Sequence, residues 1–271
     1  MTSSSVRIDE AWVAIPHGRL FARCWTPPAM EGQARPVDRT PIVLFHDSLG
    51  CVDLWRDFPA ALALRTGRKV LAYDRWGFGR SEVRPGRLAL DFVADEARSF
   101  FPAVRSHWGL ERFIAFGHSV GGGMAVHCAA AFAADCVALV TESAQSMVEE
   151  RTLQGIREAK ALFQDEGQVE RLCKYHGDKA RWVLDAWTET WLDPQFASWS
   201  LAAVLPGVRC PLLAIHGAQD EYGSTAQPQM IADLSAGPSQ LAIIEATAHV
   251  PHRERADAVL DLVARFLAPI E

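Results

Sequence analysis

Short apolar runs rich in β-branched residues alternate along this chain with longer stretches of helical period. The segments RIDEAWVAI and RLFARCW flank Pro16-His17-Gly18 and predict an N-terminal antiparallel hairpin. PIVLFH, RKVLAYD, RFIAFG, CVALVTE, PLLAIHG and LAIIEA follow, each short, apolar and bounded by turn residues. Near-continuous apolarity is what a strand covered on both faces of a parallel sheet needs. Between these runs, helical periodicity covers about 54–65, 91–107, 120–133, 226–234 and 255–267. The alternation predicts the α/β class, with a doubly wound, mostly parallel sheet.

The rhythm stops between residues 145 and 205. TLQGIREAKALF, VERLCKYH and ARWVLDAWTETW carry helical period and no strand pattern. We expect a helical lid over 145–205, inserted into a core made of 1–144 and 206–271. TPPAMEGQARPVDRTP reads as a loop between the hairpin and the next strand. Four of the nine tryptophans fall in the lid: Trp182, Trp187, Trp191 and Trp199. They either line an aromatic substrate pocket or pack inside the lid. Trp182 and Trp191 are assigned to the lid's own core, Trp187 and Trp199 to the pocket walls.

Composition narrows the partners. The 271 residues are 49% hydrophobic and 22% charged, with a net charge of −6 and no basic block. That balance argues against nucleic acid or an anionic membrane as the main partner, and leaves a small-molecule substrate. Oligomeric state stays open. No apolar run reaches the length of a membrane span. The start, MTSSSVRIDEAWVAIPHG, lacks a basic segment followed by an apolar stretch, so no signal peptide is expected. Six scattered cysteines without CxxC spacing predict free thiols in a reducing, cytoplasmic setting. No HExxH and no Cys/His cluster calls for a metal, and no Lys-Ser/Thr follows the glycines after Ser119 to make a phosphate loop. No cofactor is expected.

The candidate chemistry centres on FGHSVGGG, where Ser119 sits between glycines after the apolar run RFIAF and before the small, apolar MAVHCAAAFA. Gly-x-Ser-x-Gly between a strand and a helix predicts a nucleophile elbow, in which the serine occupies a strained turn. The N–H groups of the following helix then point at the hydroxyl, where negative charge develops in acyl transfer. A serine nucleophile needs a base, and the base an orienting acid. In this architecture the order is Ser, then Asp or Glu, then His. Asp220 follows the PLLAIHG run and His249 the LAIIEA run, each where a strand ends. Glu142, at the end of CVALVTE, is the alternative acid or a lid hinge. His252 is the alternative base or the start of the last helix. Asp74, Arg75 and Ser81 read as a turn network, and His46 and His118 as structural hydrogen-bonders.

With LFHDSLGCVDLWRDFPAALA, YDRWGFGRS, FGHSVGGGMA, CPLLAIHGAQDEYG and ATAHVPHRE, the chain resembles the α/β-hydrolase superfamily over nearly its full length. It is similar to the lidded esterase, C–C hydrolase and aminopeptidase-like branch. The resemblance implies Ser119 as nucleophile, His249 as base and Asp220 as acid. It also implies the N–H groups of Ser48 and Val120 as the oxyanion hole. Two positions depart from the pattern. Asp47 stands where glycine is usual; it is expected to cap the helix beginning near Asp53 or bond a loop N–H, the alternative being selection of a cationic substrate group. ATAH replaces Gly-x-Gly-His, which predicts altered geometry in the loop carrying the base. The expected activity is cofactor-free hydrolysis of an ester or thioester of a small to medium, partly apolar substrate through an acyl-enzyme. C–C bond hydrolysis of the meta-cleavage type, or a non-catalytic ligand-binding protein on the same scaffold, are the alternatives.

Overall fold

The computed structural model describes residues 5–29 and 39–271; the greater part of the loop expected between the hairpin and the next strand lies outside them. Among the described residues, eight strands form one sheet: β1 Arg7–Ile15, β2 Gly18–Thr26, β3 Ile42–Phe45, β4 Val70–Tyr73, β5 Phe113–His118, β6 Cys136–Glu142, β7 Leu212–Gly217 and β8 Ser239–Ile244. Their order is β1-β2-β4-β3-β5-β6-β7-β8. β1 and β2 pair antiparallel, β2 meets β4 antiparallel, and every later pairing is parallel. The order reverses direction at β3, so β3 and β5 lie side by side and their carboxyl ends border a crevice.

Period-two alternation splits the buried strand residues between two cores. Phe45, Tyr73, Phe113, Ala115 and Leu139 join one; Leu44, Ala72, Phe116, Ala138 and Val140 join the other. Helix α1 (Phe58–Thr66) covers the second face. The first face takes α2 (Phe92–Asp95), α3 (Phe101–Trp108) and α4 (Val120–Ala131).

Two predicted helices differ in outline. Val52–Trp55 is a separate 3₁₀ turn, and the chain breaks at Arg56 (φ 52°) before α1. Glu96–Phe100 makes a π-type turn between α2 and α3, with the Phe101 N–H reaching back to the Glu96 carbonyl. Pro102, which has no N–H to give, follows directly and accounts for the irregular ladder.

Between β6 and β7 the chain forms α5 (Glu150–Leu162), α6 (Glu166–His176) and α7 (Ala180–Trp191), with no strand. An isolated antiparallel bridge, Met147 to Ser200, ties the two ends of this insertion together. Helices α8 (Ala226–Leu234), α9 (Pro251–Glu254) and α10 (Ala256–Leu267) complete the fold; α10 lies beside α1 on the second face. No helix among the described residues is long and apolar enough to cross a membrane.

Candidate active site

The elbow is built by close approach. A Cβ on Gly117 would collide with the Gly121 carbonyl, and one on Gly121 with the carbonyls of Phe45 and His46. Only glycine lets β5, α4 and the β3 loop meet there. Ser119, caught between, adopts φ 55° and ψ −128°, a conformation costly for a residue with a Cβ. Its N–H donates to the Glu142 carbonyl (2.9 Å) and its own carbonyl accepts from Gly122 (2.8 Å). The strain is held by β6 on one side and the first turn of α4 on the other.

The structure brings Ser119, His249 and Asp220 into one hydrogen-bonded line. Ser119 Oγ lies 3.0 Å from His249 Nε2, and His249 Nδ1 lies 2.9 Å from both Asp220 carboxylate oxygens. A carboxylate facing Nδ1 fixes the proton there and leaves the Nε2 lone pair for the serine hydroxyl. The N–H groups of Tyr222 (2.8 Å) and Gly223 (3.1 Å) also donate to Asp220 Oδ1. Burial opposes both charges, lowering the His249 pKa and raising that of Asp220. Their mutual hydrogen bond and attraction outweigh it, so His249 ends above, and Asp220 below, its ordinary value.

Ser48 borders the same space as Ser119, and Val120 opens α4. Neither N–H meets an acceptor among the described residues. The loop carrying Ser48 is pinned from behind. His46 Nε2 accepts from the Arg75 N–H (3.0 Å), so Nδ1 carries the proton and donates to the Asp47 carbonyl (2.9 Å). Arg75 Nη2 donates to that same carbonyl (2.7 Å). Asp74 anchors the next turn: its oxygens accept from the N–H groups of Val52 (2.6 Å) and Arg80 (2.7 Å), while its carbonyl accepts from Ser81 Oγ (2.6 Å).

Asp47 corrects the favoured expectation. Its carboxylate caps no helix, because Asp74 already serves the Val52 N–H, and it accepts no hydrogen bond from the described residues. It lies over Gly50, where a Cβ would strike it, and borders the cavity. His118 Nδ1 is 3.9 Å away, but burial, then the neighbouring His252, push the His118 pKa down to about 4. Neutral His118 donates through Nε2 to the His249 carbonyl (2.8 Å), which leaves the Arg75 guanidinium as a cation within electrostatic reach of Asp47.

The two alternative residues find each other. His252 Nδ1 lies 2.5 Å from Glu142 Oε2, both side chains buried, so the Glu142 carboxylate is engaged by His252 and not by His249. Burial raises the Glu142 pKa, but the charge of His252 outweighs it and keeps the carboxyl below its ordinary value. Glu142, His252 and His118 are also the group whose ligating atoms, all within 4.8 Å, have the makeup to hold a metal. Hydrogen bonds to each other and to the His249 carbonyl already engage one atom of each. In the base loop, Ala246 takes φ 51° where the usual first glycine would rest without strain.

A cavity of about 260 Å³ opens on Ser119 and His249. Trp187 and Trp191 form its insertion side, with Thr152 and Ile156 of α5. Trp199 does not reach it: it stacks on Phe196 (centroids 5.4 Å apart) and meets Trp191 edge-on (5.6 Å). Trp182 is not in an insertion core either. It packs edge-on against Phe78 (5.5 Å), and its Nε1–H donates to the Gly86 carbonyl (2.7 Å). The 187/191 spacing, one turn along α7, is the signal that pairs these two rings on one face. Sequence reasoning also missed Gln145 and Tyr222, which border the cavity. A hollow of about 700 Å³ before β3 and β4, beside Lys69 and Trp108, lies away from Ser119.

Residues 40–172 match the alpha/beta hydrolase fold family. The chain belongs to the α/β-hydrolase superfamily. This α/β hydrolase is 36% identical over 92 residues to 1-acylglycerol-3-phosphate O-acyltransferase ABHD5 of Homo sapiens, a match covering 32% of this chain and 25% of that protein. It is 28% identical over 89 residues to proline iminopeptidase of Lactobacillus delbrueckii subsp. lactis, covering 33% of this chain and 30% of that one. The matches thus span about a quarter to a third of these relatives' lengths. Among solved structures, the enol-lactonase from Burkholderia xenovorans superposes with a TM-score of 0.70 at 21% identity, over 95% of this chain and 100% of that one.

Proposed function

We propose that this α/β hydrolase is a serine hydrolase that cleaves esters or thioesters of small, partly apolar substrates through an acyl-enzyme, without a cofactor. The observation that carries the reading is the run of contacts from Ser119 Oγ to His249 Nε2 (3.0 Å) and from His249 Nδ1 to Asp220 (2.9 Å). His249 takes the Ser119 proton as Oγ attacks the carbonyl carbon. The Ser48 and Val120 N–H groups receive the oxyanion, each worth about 3 kcal/mol in the transition state. As the tetrahedral adduct collapses, the bond to the leaving group breaks and His249 returns the proton to it. Water, deprotonated by His249, then releases the acid and restores Ser119. Asp220 keeps the imidazole in the required tautomer throughout. Residues 145–205 act as a lid that supplies the Trp187 and Trp191 wall.

C–C bond hydrolysis of a vinylogous diketone acid is less well supported. It calls for an arginine to hold the carboxylate, and no lysine or arginine is among the described residues bordering the cavity. A non-catalytic binding role has no missing nucleophile, base or acid to favour it. The test is labelling with a fluorophosphonate probe. Wild-type protein is expected to label and Ser119→Ala to remain unlabelled; folded wild type that does not label overturns the reading.

A further inference from the structure

The cavity beside Ser119 has an uneven charge distribution. Asp47 and Glu221 both border it, and neither carboxylate accepts a hydrogen bond from a described residue. Two arginines stand behind the wall, each donating to a backbone carbonyl. Arg75 donates to the Asp47 carbonyl and Arg151 to the Asp220 carbonyl, and neither borders the cavity. The remaining wall is aromatic: Trp187, Trp191 and Tyr222, with Trp187 and Tyr222 meeting edge-on at 5.9 Å. The same negative field reaches the Tyr222 hydroxyl. Burial first, then Glu221, Asp220, Glu158 and Asp47, push its pKa up to about 12.

Gln145 gives a second, independent sign that a polar ligand belongs here. It is 4% exposed and borders the cavity, yet only one end of its amide is used, in a 3.2 Å contact with Ser119 Oγ. The other end has no partner among the described residues. That free end is not among the fully buried unpartnered atoms, so it opens on the cavity, where a ligand's polar group can meet it.

We infer that the cavity selects substrates carrying a positive charge, a protonated or quaternary amine seated among Asp47, Glu221 and the aromatic rings of Trp187, Trp191 and Tyr222. Carboxylates attract the cation and aromatic faces hold it without hydrogen bonds, a combination that suits alkylammonium groups. An anionic substrate meets two like charges and no lysine or arginine among the described residues bordering the cavity. The free end of Gln145 completes its hydrogen bonding on the polar backbone of the same ligand. A cavity of about 260 Å³ is just below the ~300–1,000 Å³ of pockets for drug-sized ligands, so the amine sits within a few bonds of the scissile carbonyl.

The inference rests on the hydrolase reading, and the experiment separates the two. Three p-nitrophenyl esters of matched length serve as probes: γ-trimethylammonio-butanoate, the isostere with a quaternary carbon in place of nitrogen, and glutarate monoester. The expected kcat/KM order is cation, neutral, anion, with the cation favoured over its neutral isostere about tenfold. Asp47→Asn and Glu221→Gln each reduce that ratio, and added salt narrows it. In parallel, Ser119→Ala is titrated by tryptophan fluorescence with butyltrimethylammonium and its neutral carbon isostere; the cation is expected to bind more tightly. Hydrolysis of all three esters without preference for the cation overturns the inference and leaves the hydrolase reading standing. Cation-selective binding to Ser119→Ala with no ester hydrolysed by wild type does the reverse. Using both isosteric variants guards against one of them failing to fold.

Discussion

His252 and Glu142 are bound to each other, Nδ1 to Oε2 at 2.5 Å, in a buried pair beneath the loop that carries His249. The pair leaves Asp220 as the carboxylate hydrogen-bonded to His249 Nδ1, and the backbone carbonyl of Glu142 holds the Ser119 N–H. One residue thus supports the elbow through its backbone and the base loop's neighbour through its side chain.

Opposite outcomes are expected for the two acids. Asp220→Asn keeps the shape but presents the wrong partner to Nδ1, so kcat should fall by about 10⁴-fold with little loss of stability. Glu142→Gln weakens the buried hydrogen bond to His252 and should cost about 1–3 kcal/mol of stability, with kcat reduced less than tenfold. Urea unfolding and steady-state ester hydrolysis on both variants check this; a large kcat loss confined to Glu142→Gln would reassign the acid.

The pH dependence follows from His249. Its pKa lies above the ordinary 6.5, and the base works only when neutral. Therefore kcat/KM should fall on the acid side with a midpoint above 6.5, and Asp220→Asn should move that midpoint down. Stability runs the other way for this group. Its contribution is fully present below the unfolded value and is lost as pH rises through the raised folded value. A wild-type acid limb centred below 6.5 contradicts the assignment.

Gly121→Ala should be among the most damaging single substitutions. The added methyl collides with backbone carbonyls at Phe45 and His46, which belong to a buried strand end and cannot swing aside. A loss of about 3 kcal/mol or more is expected in thermal or urea unfolding, with fluorophosphonate labelling lost in whatever remains folded.

The tryptophans divide by role. Trp187→Ala removes a cavity wall, and KM for apolar acyl esters should rise about tenfold while the melting temperature moves little. Trp199→Ala removes a ring stacked on Phe196 and should destabilise by about 3 kcal/mol with KM nearly constant. Interchanged results would place the substrate elsewhere.

Much of this was legible along the chain because the chemistry follows strand ends. Ser119, Asp220 and His249 come one, three and five residues after the ends of β5, β7 and β8, and parallel strands deliver their carboxyl ends to one rim. What the pattern could not carry was side-chain direction. Asp47 lies over Gly50 instead of capping a helix because Asp74, distant in sequence, occupies the N–H it was expected to cap. Trp199 stays inside the insertion, stacked on Phe196 after the turn at Pro194–Phe196, and Trp191 packs there as expected while also bordering the cavity. Gln145 carries no motif; its meaning comes only from its distance to Ser119.

The Met147–Ser200 bridge, reinforced by the Leu201 N–H to Ser146 carbonyl bond (2.7 Å), makes the helical insertion leave and rejoin the scaffold at one doorway. A segment anchored that way is a cassette. Its length can change between those two ends without re-registering a strand of the sheet.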